Sequence, residues 1–257
     1  MQARSAGVDR YVAVPELRDS PRIVLTNARG VHGPAIADHV FAMLLALTRD
    51  LPTHLEGRTA GRWQPEGSGS LQPIALQGRT LLVVGLGGIG TEIAKRGAGF
   101  GMKVIATRRT AGDAPPYVER VERGDRLLAM LPEADVVAIA VPLTDETSGL
   151  FNAEAFAAMK PGSYLINIAR GKVVDSAALV EALRSGRLAG AGLDVTDPEP
   201  LPPSDPLWQF KNVIITPHVA ARAELTADRS RAIFLENLRR FDCGEPLLNV
   251  VDLAAGY

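Results

Sequence analysis

Thr80-Leu81-Leu82-Val83-Val84 passes directly into Gly85-Leu86-Gly87-Gly88-Ile89-Gly90, and a segment with helical spacing runs on to Phe100. A β-rich run, three spaced glycines and a helix form the context in which this glycine pattern carries meaning. Gly85 permits a tight turn, Gly87 lets a backbone approach a pyrophosphate, and Gly90 lets helix and strand pack closely. Backbone amides of the helix start, at Gly88 and Ile89, then face the anion. The stretch predicts the first strand, turn and helix of a dinucleotide-binding sheet.

Working outward, short β-rich apolar runs alternate with helical stretches, a pattern that calls for a parallel sheet covered by helices on both faces. The strands are Thr80 to Val84, Lys103 to Thr107, Asp135 to Val141, Ser163 to Ile168, Gly190 to Val195 and Val213 to Thr216. Helices are expected at Gly88 to Phe100, Ala153 to Met159 and Ser176 to Arg184, the last with Leu179, Val180 and Leu183 on one face. The fold class is α/β, a doubly wound parallel sheet of the Rossmann type.

A second strand of such a sheet commonly ends in an acid that takes the adenosine ribose hydroxyls, about 20 residues beyond the glycines. Here that place reads Thr107-Arg108-Arg109-Thr110. Guanidinium groups and hydroxyls suit a ribose that carries a 2′-phosphate, so NADP is expected, with NADPH preferred over NADH. The chain is arginine-rich, since only five of its 28 Lys+Arg residues are lysine.

Upstream, Ala35 to Leu51 reads as a strongly apolar helix ended by Pro52, and the Gly/Ser/Pro-rich segment Gly61 to Pro73 reads as a linker or crossover. A boundary near residue 72 follows. Ala223 to Phe241 is an amphipathic helix carrying Ile233, Leu235, Leu238 and Phe241, with Leu247 to Val251 behind it, and it is expected to pack back onto the N-terminal segment. Residues 1–71 plus 223–257 are thus assigned to a substrate domain and 72–222 to the dinucleotide-binding domain.

Lys+Arg 28 against Asp+Glu 29 leaves a net charge of -1, with no surplus to hold nucleic acid or an anionic membrane surface. The single cysteine, Cys243, excludes an internal disulfide and a thiolate zinc site, which points to the cytoplasm. No apolar run reaches a membrane span of roughly 18 residues. His32, His39 and His54 surround the apolar helix as structural or surface residues, and no metal site is expected.

Three further strand-end segments carry an arginine, an acid and a histidine: Asn167-Ile168-Ala169-Arg170-Gly171, Gly192-Leu193-Asp194-Val195 continuing to Glu199-Pro200, and Thr216-Pro217-His218. Ligands of open α/β sheets bind outside the carboxyl ends of the strands, where all three fall. With these motifs, the glycine turn, Val141-Pro142-Leu143-Thr144-Asp145-Glu146-Thr147 and the closing Gly244-Glu245-Pro246-Leu247-Leu248-Asn249-Val250-Val251, the chain resembles the D-isomer-specific 2-hydroxyacid dehydrogenases nearly end to end. Its arginine at 108 resembles the NADP-preferring glyoxylate/hydroxypyruvate reductase branch.

The resemblance implies that Arg170, Glu199 and His218 are catalytic. It also implies that Val141, Pro142, Thr147, Ile168, Ala169, Asp194 and His218 line the cofactor, and that Ser5, Ala6 and Gly7 bind substrate beside Arg170. These residue types suit reduction of a small 2-oxo acid. The planar fork of Arg170 holds a carboxylate and polarises the carbonyl, while His218 acts as general acid, oriented by Glu199. The nicotinamide supplies the hydride.

The resemblance further implies a homodimer through the helix near 35–51. It implies a second, flavodoxin-like domain, incomplete and formed by both chain ends, since roughly fifty residues of an ordinary domain length are missing before Met1. A misplaced start, a fragment and a shortened paralogue all remain open. The alternative reading is a catalytically weak NAD(P)-binding regulatory protein resembling the family's corepressors.

Overall fold

Strand β1 (Thr80–Val84) sends alternate side chains into two cores: Leu81 and Val83 into one, Leu82 and Val84 into the other. Burial on both faces is the condition of a central strand in a parallel sheet. Six more strands complete the sheet: β2 (Lys103–Arg108), β3 (Arg120–Arg123), β4 (Val136–Ile139), β5 (Ser163–Asn167), β6 (Leu188–Leu193) and β7 (Val213–Ile215). All neighbours pair in parallel, in the order β3-β2-β1-β4-β5-β6-β7. The structure, a computed structural model, describes residues 1–20, 22–63, 73–110, 114–253 and 255–256. Most of the expected linker, residues 64–72, and the boundary near residue 72 lie outside that set.

The doubly wound parallel sheet expected from the sequence is present, with one strand beyond the six read there. That strand, β3, is Arg120-Val121-Glu122-Arg123, a half-exposed edge with one apolar side chain, so no apolar run announces it.

Nine α-helical segments occur among the described residues: α1 (Asp9–Val12), α2 (Pro15–Arg18), α3 (Gly33–Thr48), α4 (Leu51–Thr59), α5 (Gly88–Gly99), α6 (Leu127–Met130), α7 (Ala153–Ala158), α8 (Ser176–Arg184) and α9 (Glu224–Asp242). Apolar residues of α6, α7 and α8 fill one core with Leu82, Val137 and Leu165, and those of α3 and α5 fill the other with Leu81, Val83 and Ile166. The helix expected over 35–51 ends at Thr48, because Asp50 takes a left-handed conformation (φ 52°) and Pro52 then sits in the first turn of α4. Proline starts the second helix rather than stopping the first.

The chain ends meet beside the sheet. Gln2 bridges Thr26 and Thr26 bridges Val250, while Ala3, Val8, Leu25 and Val251 bury a small third cluster. Asn237 of α9, itself buried, donates to Gln2 Oε1 (2.9 Å) and Leu248 O (3.1 Å) and accepts from Leu248 N (2.7 Å). The apolar residues read as the face of this helix, Leu235, Leu238 and Phe241, stay exposed, Phe241 by 75%.

Leu44, fully buried between α3 and the sheet, tests this packing. Leu44→Ala is expected to cost about 2–5 kcal/mol in urea unfolding, through lost transfer energy plus a cavity.

Candidate active site

Because every strand is parallel, all carboxyl ends lie on one edge, and the strand order reverses between β1 and β4. Such a switch point is where an open α/β sheet forms a ligand crevice. Gly85 turns the chain there with φ 101°, and a Cβ on it would meet the Ala140 carbonyl oxygen at 2.7 Å. A Cβ on Gly90 would overlap the Gly85 carbonyl, whereas Gly87 and Gly88 face open space. The turn is tied to β2, since Thr107 O accepts from Gly85 N (3.1 Å) and Leu86 N (2.8 Å). Arg108, Arg109 and Thr110 follow at the end of β2, where Arg108 Nε is buried without a hydrogen-bond partner. An open backbone cradle at a helix start and an unsatisfied buried guanidinium nitrogen 18 residues past Gly90 fit a phosphorylated dinucleotide.

A cavity of about 170 Å³ joins this turn to the first residues of the chain, with Gly87, Gly88, Ile89, Val141, Pro142, Ile168, Ala169 and Arg170 on its walls beside Ala6, Gly7 and Asp9. Thr147 shapes one wall rather than lining it, as its hydroxyl donates to Pro142 O (2.6 Å) and accepts from Thr144 N (2.8 Å). Asn167 holds the arginine turn, accepting from Ala169 N (3.0 Å) and donating to Arg170 O (3.1 Å).

Arg170 is anchored on both sides. Nη1 donates to Ala169 O (2.7 Å), and Nε and Nη2 both donate to one oxygen of Asp9 (3.1 and 2.8 Å). Burial alone would push the Asp9 carboxyl up, but the hydrogen bonds and charge of Arg170 outweigh it and hold it below the usual carboxylate range. A Cβ on Gly7 would overlap Arg170 Nη2, so the loop leaves that place to the guanidinium. Ser5 Oγ donates to Gly7 O (2.7 Å), the carbonyls of Ser5 and Ala6 accept from Ala28 N and Asn27 Nδ2, and the amides of residues 5–7 donate to no other described residue. Free amides beside a guanidinium are an anion site.

A larger cavity opens on the other side of Arg170, with Ser5, Ala6, Gly7, Asp194 and His218 on its walls. His218 stands in a left-handed conformation (φ 54°), which costs about 1–2 kcal/mol for a residue with a side chain. Its N–H is within reach of Asp194 O (2.8 Å) and Thr216 O (3.0 Å). Its Nδ1 lies 3.0 Å from Glu199 Oε2, an acceptor, which leaves Nε2 for a ligand. The Asp194 side chain, 2% exposed, accepts from Thr216 Oγ1 (2.6 Å), Val219 N (2.9 Å) and Ala220 N (3.0 Å). It thereby builds the turn that carries His218.

Asp9, Asn167 and Thr216 were not singled out by sequence reasoning, although Asn167 and Thr216 lie in motifs quoted above and Asp9 lies two residues past the Ser5 to Gly7 loop. His39 had no sequence signal at all: from α3 its Nε2 donates to Thr216 Oγ1 (2.9 Å), which donates onward to Asp194, across 177 residues of chain. Glu199 reaches the site only through His218. The described residues hold no group of three or more His, Cys, Asp and Glu able to bind a metal, and no helix long and apolar enough to cross a membrane.

The family model "D-isomer specific 2-hydroxyacid dehydrogenase, NAD binding domain" matches residues 41–220. A glyoxylate reductase of Korarchaeum cryptofilum is 39% identical over 237 residues, covering 90% of this chain and 69% of the relative. A D-isomer specific 2-hydroxyacid dehydrogenase from Xanthobacter autotrophicus Py2, solved with NADPH and MES, is similar with a TM-score of 0.86 and 37% identity, covering 100% of this chain and 78% of that one. An NADPH-dependent glyoxylate/hydroxypyruvate reductase of Sinorhizobium meliloti, solved with NADP and sulfate, also gives a TM-score of 0.86, at 31% identity, over 100% of this chain and 79% of that one.

Removing the Asp194 carboxylate strands two backbone amides and a hydroxyl. Asp194→Ala is therefore expected to lose about 3 kcal/mol or more in urea unfolding, and Asp194→Asn less, because its amide oxygen still accepts.

Proposed function

The chain belongs to the D-isomer specific 2-hydroxyacid dehydrogenase family, and from that premise we propose that it uses NADPH to reduce a small 2-oxo acid to a D-2-hydroxy acid. It is an NAD(P)-dependent oxidoreductase acting on 2-oxo acids, with a Rossmann-type NAD-binding domain. The observation that carries the finer reading is one cavity lined by both Arg170 and a histidine whose Nδ1 is held by Glu199 at 3.0 Å.

In this reading the terminal edge of Arg170, left free by Asp9 and Ala169, takes the substrate carboxylate together with the amides of Ser5, Ala6 and Gly7. His218 Nε2 gives a proton to the carbonyl oxygen as it becomes a hydroxyl, and Glu199 steadies the charged ring at Nδ1. The reduced nicotinamide, when bound, supplies the hydride. Gly85 to Gly90, Val141, Pro142, Ile168 and Ala169 cradle the cofactor, with Thr147 bracing Pro142 and Asp194 on the neighbouring wall beside His218.

NADPH is preferred because Arg108, with Arg109, Thr107 and Thr110 around it, stands where an acid would repel a 2′-phosphate. The unsatisfied Arg108 Nε supports this choice. Glyoxylate and hydroxypyruvate are the first substrates to try, being named for relatives.

Residues 1–71 with 223–257 serve as the substrate lobe and 72–222 as the cofactor lobe, with α3 laid on the sheet of the latter. The protein works in the cytoplasm as a homodimer joined near residues 35–51. Most of α3 is spent on the sheet, so the apolar surface for pairing comes from Ala42 outward and from Leu51 and Leu55 at the start of α4. Sedimentation at micromolar concentration is expected to give twice the mass of one chain; a monomer refutes the pairing.

NADPH oxidation followed by absorbance tests the chemistry. His218→Ala is expected to lower kcat by about 10²–10⁴-fold, the usual worth of a general acid, and near-intact activity would remove His218 from that role. Arg108→Met is expected to weaken NADPH binding by roughly 10–100-fold, the loss of a charge-assisted contact of about 1.5–3 kcal/mol, and to leave NADH binding as it was.

A further inference from the structure

The cavity shared by Arg170 and His218 measures about 1050 Å³, at the upper end of small-molecule sites, and it is lined both by residues assigned to the cofactor and by others beyond them. One wall is the segment Gln2 to Gly7, another the turn that follows His218, and a third one face of α9. On that face Ala223, Thr226, Ala227, Ser230, Arg231 and Phe234 recur at intervals of three and four, so small side chains keep the space open around a single charged one.

The charge on these walls is one-sided. Arg4, Arg222 and Arg231 line the cavity together with Arg170, and among the described residues none of those three has a carboxylate within 4.0 Å. Asp194, the one acid on the walls, is buried and already accepts three hydrogen bonds from the His218 turn. Arg222 belongs to that same turn, its N–H donating to Val219 O (2.8 Å), so its backbone is fixed relative to His218. Arg4 is fixed from behind, as its carbonyl oxygen accepts from His32 Nε2 (3.2 Å). His32 is only 9% exposed and lines the cavity, yet its Nδ1 has no hydrogen-bond partner.

Resting on the reading of the protein as a 2-oxo acid reductase, we infer that its preferred substrates carry a second anionic group at the end remote from the carbonyl, a carboxylate or a phosphate, bound by Arg222 and Arg231 with Arg4 closing the third side. Arg170 holds the first carboxylate beside the reacting carbon, and the open small-residue face of α9 gives the length for the second. Glyoxylate, which has no remote group, leaves all three arginines unused.

The experiment compares kcat/KM of the full chain with NADPH for pairs that differ in the remote anionic group, 2-oxoglutarate against 2-oxopentanoate and 3-phosphohydroxypyruvate against hydroxypyruvate. At least a tenfold preference for the doubly charged member is expected in one pair, which also tells carboxylate from phosphate. That ratio should fall towards one in Arg222→Met and Arg231→Met and drop further in Arg231→Glu. A ratio of one or less in both pairs, or a preference that neither methionine variant moves, overturns the inference. If no 2-oxo acid is turned over, the chemistry proposed above has failed on its own, and calorimetry on the NADPH-saturated chain decides the anion site. Glutarate binding at least tenfold tighter than pentanoate, and weakened in Arg231→Met, keeps it; equal binding removes it.

Discussion

Parallel pairing puts every strand's carboxyl end on one edge of the sheet, and most of the candidate site hangs from that edge. The glycine turn leaves β1, Arg108 closes β2, Val141 follows β4, Arg170 follows β5, Asp194 follows β6 and His218 follows β7. Groups separated by well over a hundred residues become neighbours because strand order, not chain order, decides who stands beside whom. The buried two-sided core under the edge makes this reliable, since a register shift of one residue would turn each apolar side chain to the wrong face.

On that frame the two candidate reactive groups, Arg170 and His218, are held by partners from other segments of the chain. Arg170 is aimed by Asp9 and by the missing side chain of Gly7, and His218 is aimed by Glu199 and by a turn closed on the Asp194 carboxylate. The left-handed backbone at His218 is an unfavourable conformation kept in place by these bonds. The His39, Thr216 and Asp194 chain extends the support back into α3, so the helix that covers one face of the sheet also stiffens the site at its edge.

Much of this was legible in the residues. The apolar runs, the spaced glycines and the strand-end polar residues announced the sheet, the turn and the candidate site, because each is a local pattern with a local cause. What escaped lacked a local cause. β3 carries one apolar residue and exists because β2 offers it an open edge. The end of α3 depends on Asp50 adopting a left-handed turn, which Pro52 alone did not foretell. The face of α9 read as amphipathic is left largely exposed, and the residue of that helix that is buried is polar Asn237.

The sequence by itself determined the fold class and the family, and it named the candidate site residues, since these follow from periodicity, turn chemistry and motif order along one chain. The tertiary structure alone decided which groups position them and how charge is distributed around them. Asp9 meets Arg170 across 161 residues and His39 meets Thr216 across 177. Arg4, Arg222 and Arg231 come from three separate segments to surround one cavity. Such encounters depend on distances set by packing, and no spacing along the chain encodes them.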